Sequence, residues 1–331
     1  MEAEETNGPR IVISLSVLTG ISFLTLITRV FCKARCGKPL GWDDHLLSAS
    51  WACIVIYSGL TSAAVTHGIG HHRAFIAPGS LPVALRHLYA ARFFSMIALA
   101  VSKSSFALTL LSMTRKPWQR NSLWFIIISL NLVVWICGFS LFFQCSPVRK
   151  AWDFTTSGTC WSVASQANVG VAAGAYSAIM DFALTVFPVV LIRDMPMGIW
   201  EKIGVLITMS LGIFAGIAGI VKSRLLPTTT RSTDFTFSSA DLLIWSATET
   251  AVTIMAVSLP YLGLVIKELF PASQTPSEPR NEQKGWRFRI TGKKYETLND
   301  DWINGVGSSE DGGPRRGRLV MQDGKATVSY Q

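Results

Sequence analysis

Seven apolar stretches, each long enough to cross a bilayer, restrict this chain more than any other feature. They cover residues 11–28, 45–66, 93–114, 121–147, 169–192, 203–221 and 242–266. A helix needs about 20 apolar residues to cross the hydrocarbon at ~1.5 Å rise per residue. Backbone groups in lipid must satisfy their own hydrogen bonds, so each run reads as a spanning helix. The expected fold is all-α: a seven-transmembrane-helix bundle over residues 1–266, then a disordered cytoplasmic tail over 267–331. Composition agrees, with 49% hydrophobic and 15% charged residues, too few polar groups to coat a soluble domain of this size. A signal peptide is a poor reading of the first run, because Glu2, Glu4 and Glu5 precede it where basic residues belong and the apolar stretch is too long.

Charge in the connecting segments barely fixes the orientation. Lys and Arg number eight in the loops after the first, third and fifth runs and nine on the other side, amino-terminal segment included. Three features favour an extracellular or lumenal amino terminus and a cytoplasmic carboxyl terminus. The amino-terminal segment is short and acidic, and Lys267, Arg280 and Lys284 follow the last run closely. The loop before the fifth run also holds Cys145 and Cys160, which pair only in an oxidising compartment. Such a bridge would add roughly 3 kcal/mol by loop entropy; two free thiols are the alternative. Cys53 and Cys137 read as packing residues, and Cys32 and Cys36 as weak palmitoylation candidates. The expected location is a plasma membrane or endomembrane.

Beyond residue 266 the chain is rich in Pro, Gly, Ser and mixed charge, with little to bury. Trp286, Arg287, Phe288, Arg289, Ile290, Lys293 and Lys294 form a basic-aromatic segment suited to an anionic leaflet, although a solvated linker reads equally well. The net charge of +9 sits in segments beside a membrane, so the bilayer, and no nucleic acid, is the expected partner.

Several short motifs recur in a recognisable order. Trp42, Asp43 and Asp44 open the second run, and Gly68, Gly70 and His71 close it. Lys103 and Ser105 lie in the third. Cys145, Pro147, Trp152, Gly158 and Cys160 precede the fifth, which contains Asp181 and Pro188. Lys202 enters the sixth; Asp234, Thr236, Trp245, Glu249 and Pro260 mark the seventh. From about residue 41 to 264 the chain resembles the fungal rhodopsin-domain integral membrane proteins. That group includes receptor-like proteins of plant-pathogenic fungi and membrane proteins of toxin gene clusters such as the satratoxin one. The resemblance implies a seven-helix receptor-like fold and says less about function.

Retinal chemistry does not fit. A Schiff base in a rhodopsin needs a lysine amine midway along the seventh helix, and residues 242–266 contain none. Neither a cofactor nor a metal site is expected; His67, His71 and His72 cluster without a companion thiol or carboxylate at ligand spacing and read as a wet loop. The charges inside the runs are the functional lead: Lys103, Asp181 and Glu249, at depths of about 10–18 Å from the outer ends. With Trp245, they are the candidate ligand-binding polar cluster. Lys103 would neutralise one acid and leave the other for a ligand, unless the group is only a structural ion pair with one neutral acid. Arg29, Lys222 and Arg224, near run ends, read as snorkelling residues, and Gly212 with Gly216 as a close-packing pair.

Three function classes remain. The first is a receptor-like protein that senses a lipophilic small molecule or regulates secondary metabolism, with a cytoplasmic signalling partner. The acidic–Arg–Tyr and Asn–Pro–x–x–Tyr elements of common receptors are missing. The second is a membrane enzyme, an acid-type cyclase or isomerase in a mycotoxin pathway, using Asp181 or Glu249 as general acid. A transporter ranks third, for want of internal repeats.

Overall fold

The computed structural model describes residues 6–35, 37, 39–77, 79–114, 116–193, 199–232, 234–269, 318–322 and 325–329. Seven helices run in order: α1 (Gly8–Arg35), α2 (Trp42–Thr66), α3 (Leu81–Met113), α4 (Pro117–Phe143), α5 (Val163–Arg193), α6 (Ile199–Arg231) and α7 (Phe235–Leu269). All seven are long and apolar enough to cross a membrane. The sequence reading located each helix but shortened most of them, α3 and α6 above all. α3 begins at Leu81, well ahead of its apolar run, and α6 continues past Val221 through Lys222, Arg224 and Pro227. Hydropathy counts side chains, whereas the helix continues wherever polar side chains find partners or interface.

Leu24, Phe125, Ile128, Phe143 and Leu206 point outward, as expected of an apolar belt in lipid. Inside, small residues decide the packing. On α3, Ala84, Ala91, Ala98 and Ser105 recur every seventh position and are fully buried, which lets α2 approach closely. The Ser50 hydroxyl donates to the Ala98 carbonyl at 2.8 Å across that contact. On α6, a Cβ added at Gly216 would lie 2.9 Å from the Phe182 ring of α5, so glycine is needed for the approach. Tyr57 ties α2 to α7 by donating to the Leu243 carbonyl at 2.8 Å.

Between α4 and α5, the short strands β1 (Cys145–Ser146) and β2 (Thr159–Cys160) pair antiparallel, and Cys145 and Cys160 form the expected disulfide. In the same loop Asp153 accepts from the Thr155 hydroxyl at 2.6 Å, from the Thr155 amide and from Arg149. The Thr155 hydroxyl foremost holds that carboxyl below the usual carboxylate range.

On this disulfide side of the bundle, three chain segments meet through main-chain bonds. Asn7 N–H donates to the Gly70 carbonyl at 2.9 Å, and Gly70 N–H donates to the Thr236 carbonyl at 3.0 Å. The Thr236 hydroxyl donates to the His71 carbonyl at 2.9 Å. Gly70 adopts φ +94°, a left-handed conformation that suits glycine, and any Cβ there would lie 2.7 Å from the Gly8 nitrogen.

Most of the segment expected to be a disordered tail, including the basic-aromatic stretch at 286–294, lies outside the described residues. Within it, α7 extends to Leu269, and β3 (Arg318–Gln322) pairs antiparallel with β4 (Lys325–Ser329). The sequence reading had anticipated no strands there.

Candidate functional site

Four helices send charged side chains to one buried point. The Lys103 ammonium, from α3, donates to Asp181 Oδ2 of α5 at 2.8 Å and to Glu249 Oε1 of α7 at 2.9 Å. It also reaches the Ser177 hydroxyl at 2.6 Å and, more weakly, the Ser177 carbonyl at 3.2 Å. The Ser177 hydroxyl in turn donates to Glu249 Oε1 at 3.3 Å. Lys222 of α6 pairs with the other carboxylate oxygen, Glu249 Oε2. Lys103, Asp181 and Glu249 are 1%, 5% and 0% exposed. Two ammoniums and two carboxylates cancel formally, which is what burial demands of charges held at this depth.

Close approach of α6 makes this possible. A Cβ added at Gly219 would stand 3.5 Å from Glu249 Oε1 and 3.4 Å from Ala178, ordinary van der Waals distances, so α6 lies directly against the carboxylate one turn before Lys222.

Lys103, Asp181 and Glu249 do converge, but the pairing differs from the expected one. Lys103 contacts both acids, and no carboxylate in the cluster lacks a cation. The second cation is Lys222, read from sequence as snorkelling; it lies one residue past its apolar run, which concealed its role. Trp245, the fourth candidate, lies one turn before Glu249 and is half-buried; among the described hydrogen bonds and ion pairs, none joins it to the cluster. Among the described residues, no group of three His, Cys, Asp or Glu side chains is placed to hold a metal ion. His71 instead bonds the Thr6 hydroxyl, and His72 stacks on Phe237 beside Asp234.

A second buried charge cluster escaped the sequence reading. Arg29 of α1, 1% exposed, donates to Asp44 Oδ1 at 2.8 Å and pairs with Asp43, both in the first turn of α2. It also contacts the Val257 carbonyl of α7 and the Thr109 hydroxyl of α3. Lys33, one turn on, reaches Asp43 at 2.9 Å and Asp44 at 2.6 Å. The Ser105 hydroxyl caps this arrangement by donating to the Asp43 carbonyl at 2.6 Å. Arg29 is thus not a snorkelling residue: its guanidinium faces inward and engages three other helices. The signal was present as cations four apart on α1 facing an Asp doublet across a short loop, a pattern that apolar-run counting ignores.

A cleft of about 270 Å³ lies away from both clusters, at the α2–α3 connection. Val65, His67, Gly68, His71, Phe75 and Ile76 are among the residues that line it.

With the arrangement of helices and charges established, comparison with known proteins becomes informative. A profile of the Fungal rhodopsin domain matches residues 28–268, spanning both clusters. The chain belongs to the fungal rhodopsin domain family. Among relatives of this family member, a SAT4 family membrane protein of Emericella nidulans is 26% identical over 72% of this chain and 58% of its own length. The Fugralins biosynthesis cluster protein 2 of Gibberella zeae is 24% identical, over 48% of this chain and 44% of its own. The Wortmanamides biosynthesis cluster protein C of Talaromyces wortmannii is 22% identical, over 55% and 47%. The chain thus spans about half the length of these curated relatives. No solved structure matches it significantly.

Proposed function

We propose that this fungal rhodopsin domain protein is a receptor-like regulator of secondary metabolism, in which the Lys103–Asp181–Glu249–Lys222 cluster is a latch that a lipophilic small molecule biases. One observation carries the reading: a neutral, closed set of ion pairs fastens α3, α5, α6 and α7 together inside the bundle. Buried charge networks have two discrete conditions, paired or broken, and a broken one is costly. They therefore suit a two-state element better than a graded one. The protein is proposed to lack retinal, since α7 carries no lysine between residues 242 and 266. Its amino terminus would be extracellular or lumenal, and its carboxyl-terminal side would meet a cytoplasmic signalling protein.

A second reading, a membrane enzyme of a biosynthetic pathway, draws on relatives named for biosynthesis clusters. It requires a carboxylic acid with a proton to donate to the substrate. In the cluster both acids are buried and already engaged by ammonium groups, so neither lies open to a substrate.

Metabolite profiling of a host carrying Glu249→Gln separates the two. A change shared by every product of a pathway is expected for a regulator. Accumulation of a single precursor with loss of its product would overturn that reading in favour of catalysis.

A further inference from the structure

Two cations near the latch still have donors to offer, and both lie on the side leading to the disulfide loop. Lys222 carries three N–H bonds, and Glu249 is its acceptor among the described residues. Its side chain is 20% exposed, unlike Lys103, Asp181 and Glu249, which are sealed. Arg92 of α3 is exposed, and no described carboxylate pairs with it. It occupies the same face of α3 as Lys103, three turns nearer the disulfide side.

The two cations come from different helices but converge. A Cβ built at Gly170 of α5 would lie 3.6 Å from the Arg92 guanidinium and would run into the Leu226 side chain. Leu226 lies one turn from Lys222 on α6. The Arg92 guanidinium therefore lies beside Leu226, about one helical turn along α6 from Lys222, and Leu226 fills the space next to Gly170.

Exposure falls steadily along this path. On α3, Arg92 is exposed, Met96 half-buried, Leu99 8% and Lys103 1% exposed. On α7, Leu242 and Trp245 are half-buried and Glu249 is sealed. The latch itself is sealed, and the faces of α3 and α7 beside it open progressively toward the disulfide side.

We propose that Arg92 and Lys222 bind the anionic oxygen head of an amphiphile, with its apolar body against Met96, Leu242 and Trp245. A fatty carboxylate has this chemistry, as does the phosphate of a membrane lipid. The guanidinium offers a planar fork to two oxygens, and the ammonium a point charge. Drawn toward such a head, Lys222 loosens from Glu249 Oε2, while Glu249 retains Lys103 and Ser177 at Oε1. The ligand thereby acts on the latch without stripping a buried carboxylate of every partner. This inference rests on the latch reading and names the ligand class for it.

The test uses the full chain in nanodiscs of phosphatidylcholine and a diazirine-bearing hexadecanoic acid. Photolabelling of wild type is expected in peptides around Arg92, Lys222 and Trp245. Excess hexadecanoate should suppress it, and the methyl ester and hexadecylamine should not. Arg92→Gln and Lys222→Gln are each expected to weaken labelling about tenfold, the loss of one charged hydrogen bond, while Lys222→Arg retains it. Phosphatidic acid competing as well as hexadecanoate would support the site and assign its occupant to the bilayer; competition by hexadecanoate alone assigns it to a free acid. Equal competition by the ester, or labelling confined to other helices, overturns the proposal. Because the wild-type map requires no variant, misfolding of Lys222→Gln leaves the test intact. Failure here, with a pathway-wide response to Glu249→Gln, removes the ligand class alone; accumulation of one precursor removes the regulatory reading whatever binds.

Discussion

The two buried charge clusters contain the same ingredients, two cations and two carboxylates, yet they are built for different tasks. The Arg29–Lys33–Asp43–Asp44 group joins residues no more than fifteen positions apart, across the α1–α2 turn. Its guanidinium also binds α3 and the α7 backbone, so the arrangement is cross-braced on all sides. The Lys103–Asp181–Glu249–Lys222 group spans up to 146 positions of sequence and takes one charge from each of four helices. No backbone turn holds it together, and one member reaches the surface. The first cluster is a staple formed largely by local chain geometry. The second exists only while four helices stay in register, which is the property required of a switch.

Substitutions in the two groups put that contrast to the test. Arg29→Met should have the largest effect, since it leaves buried Asp44 with Lys33 as its one described cation and removes ties to α3 and α7. A loss of about 3–5 kcal/mol is expected on removing one partner of a buried pair, read as a large fall in unfolding midpoint in mild detergent. Next comes a double-mutant cycle of Lys103→Met with Asp181→Leu. Removing both partners should be much milder than removing either, with a coupling of about 1–3 kcal/mol. Simple additivity would show that the latch is not a cooperative unit. The smallest effect belongs to Lys222→Gln, about 1 kcal/mol or less, because its side chain is partly exposed and Glu249 keeps Lys103. If Lys222→Gln proves as damaging as Arg29→Met, the distinction between staple and latch collapses.

The seven helices were legible because lipid imposes one rule on every span, an unbroken run of apolar side chains. The convergence of Lys103, Asp181 and Glu249 was legible for the complementary reason, that charges within such runs must face inward. Lys222 and Arg29 were not, because each sits at the end of its run, where hydropathy does not distinguish a side chain reaching for water from one reaching into the bundle. Only the tertiary register decides that, through Glu249 for Lys222 and the Asp43–Asp44 doublet for Arg29. Arg92 was hidden likewise: α3 starts well before its apolar run, so an arginine on the bundle wall was counted as a loop charge.

The clasp that joins Asn7, Gly70 and Thr236 bears on how freely this end of the molecule can diversify. Two of its three bonds run between main-chain atoms, and the third needs only a hydroxyl at Thr236. Side chains around it can drift in size, charge and shape while the starts of α1 and α7 stay fastened to the end of α2. Gly70 is the exception, since any side chain there would collide with Gly8. A lineage could therefore recast the surface at this end of the bundle without loosening the frame beneath.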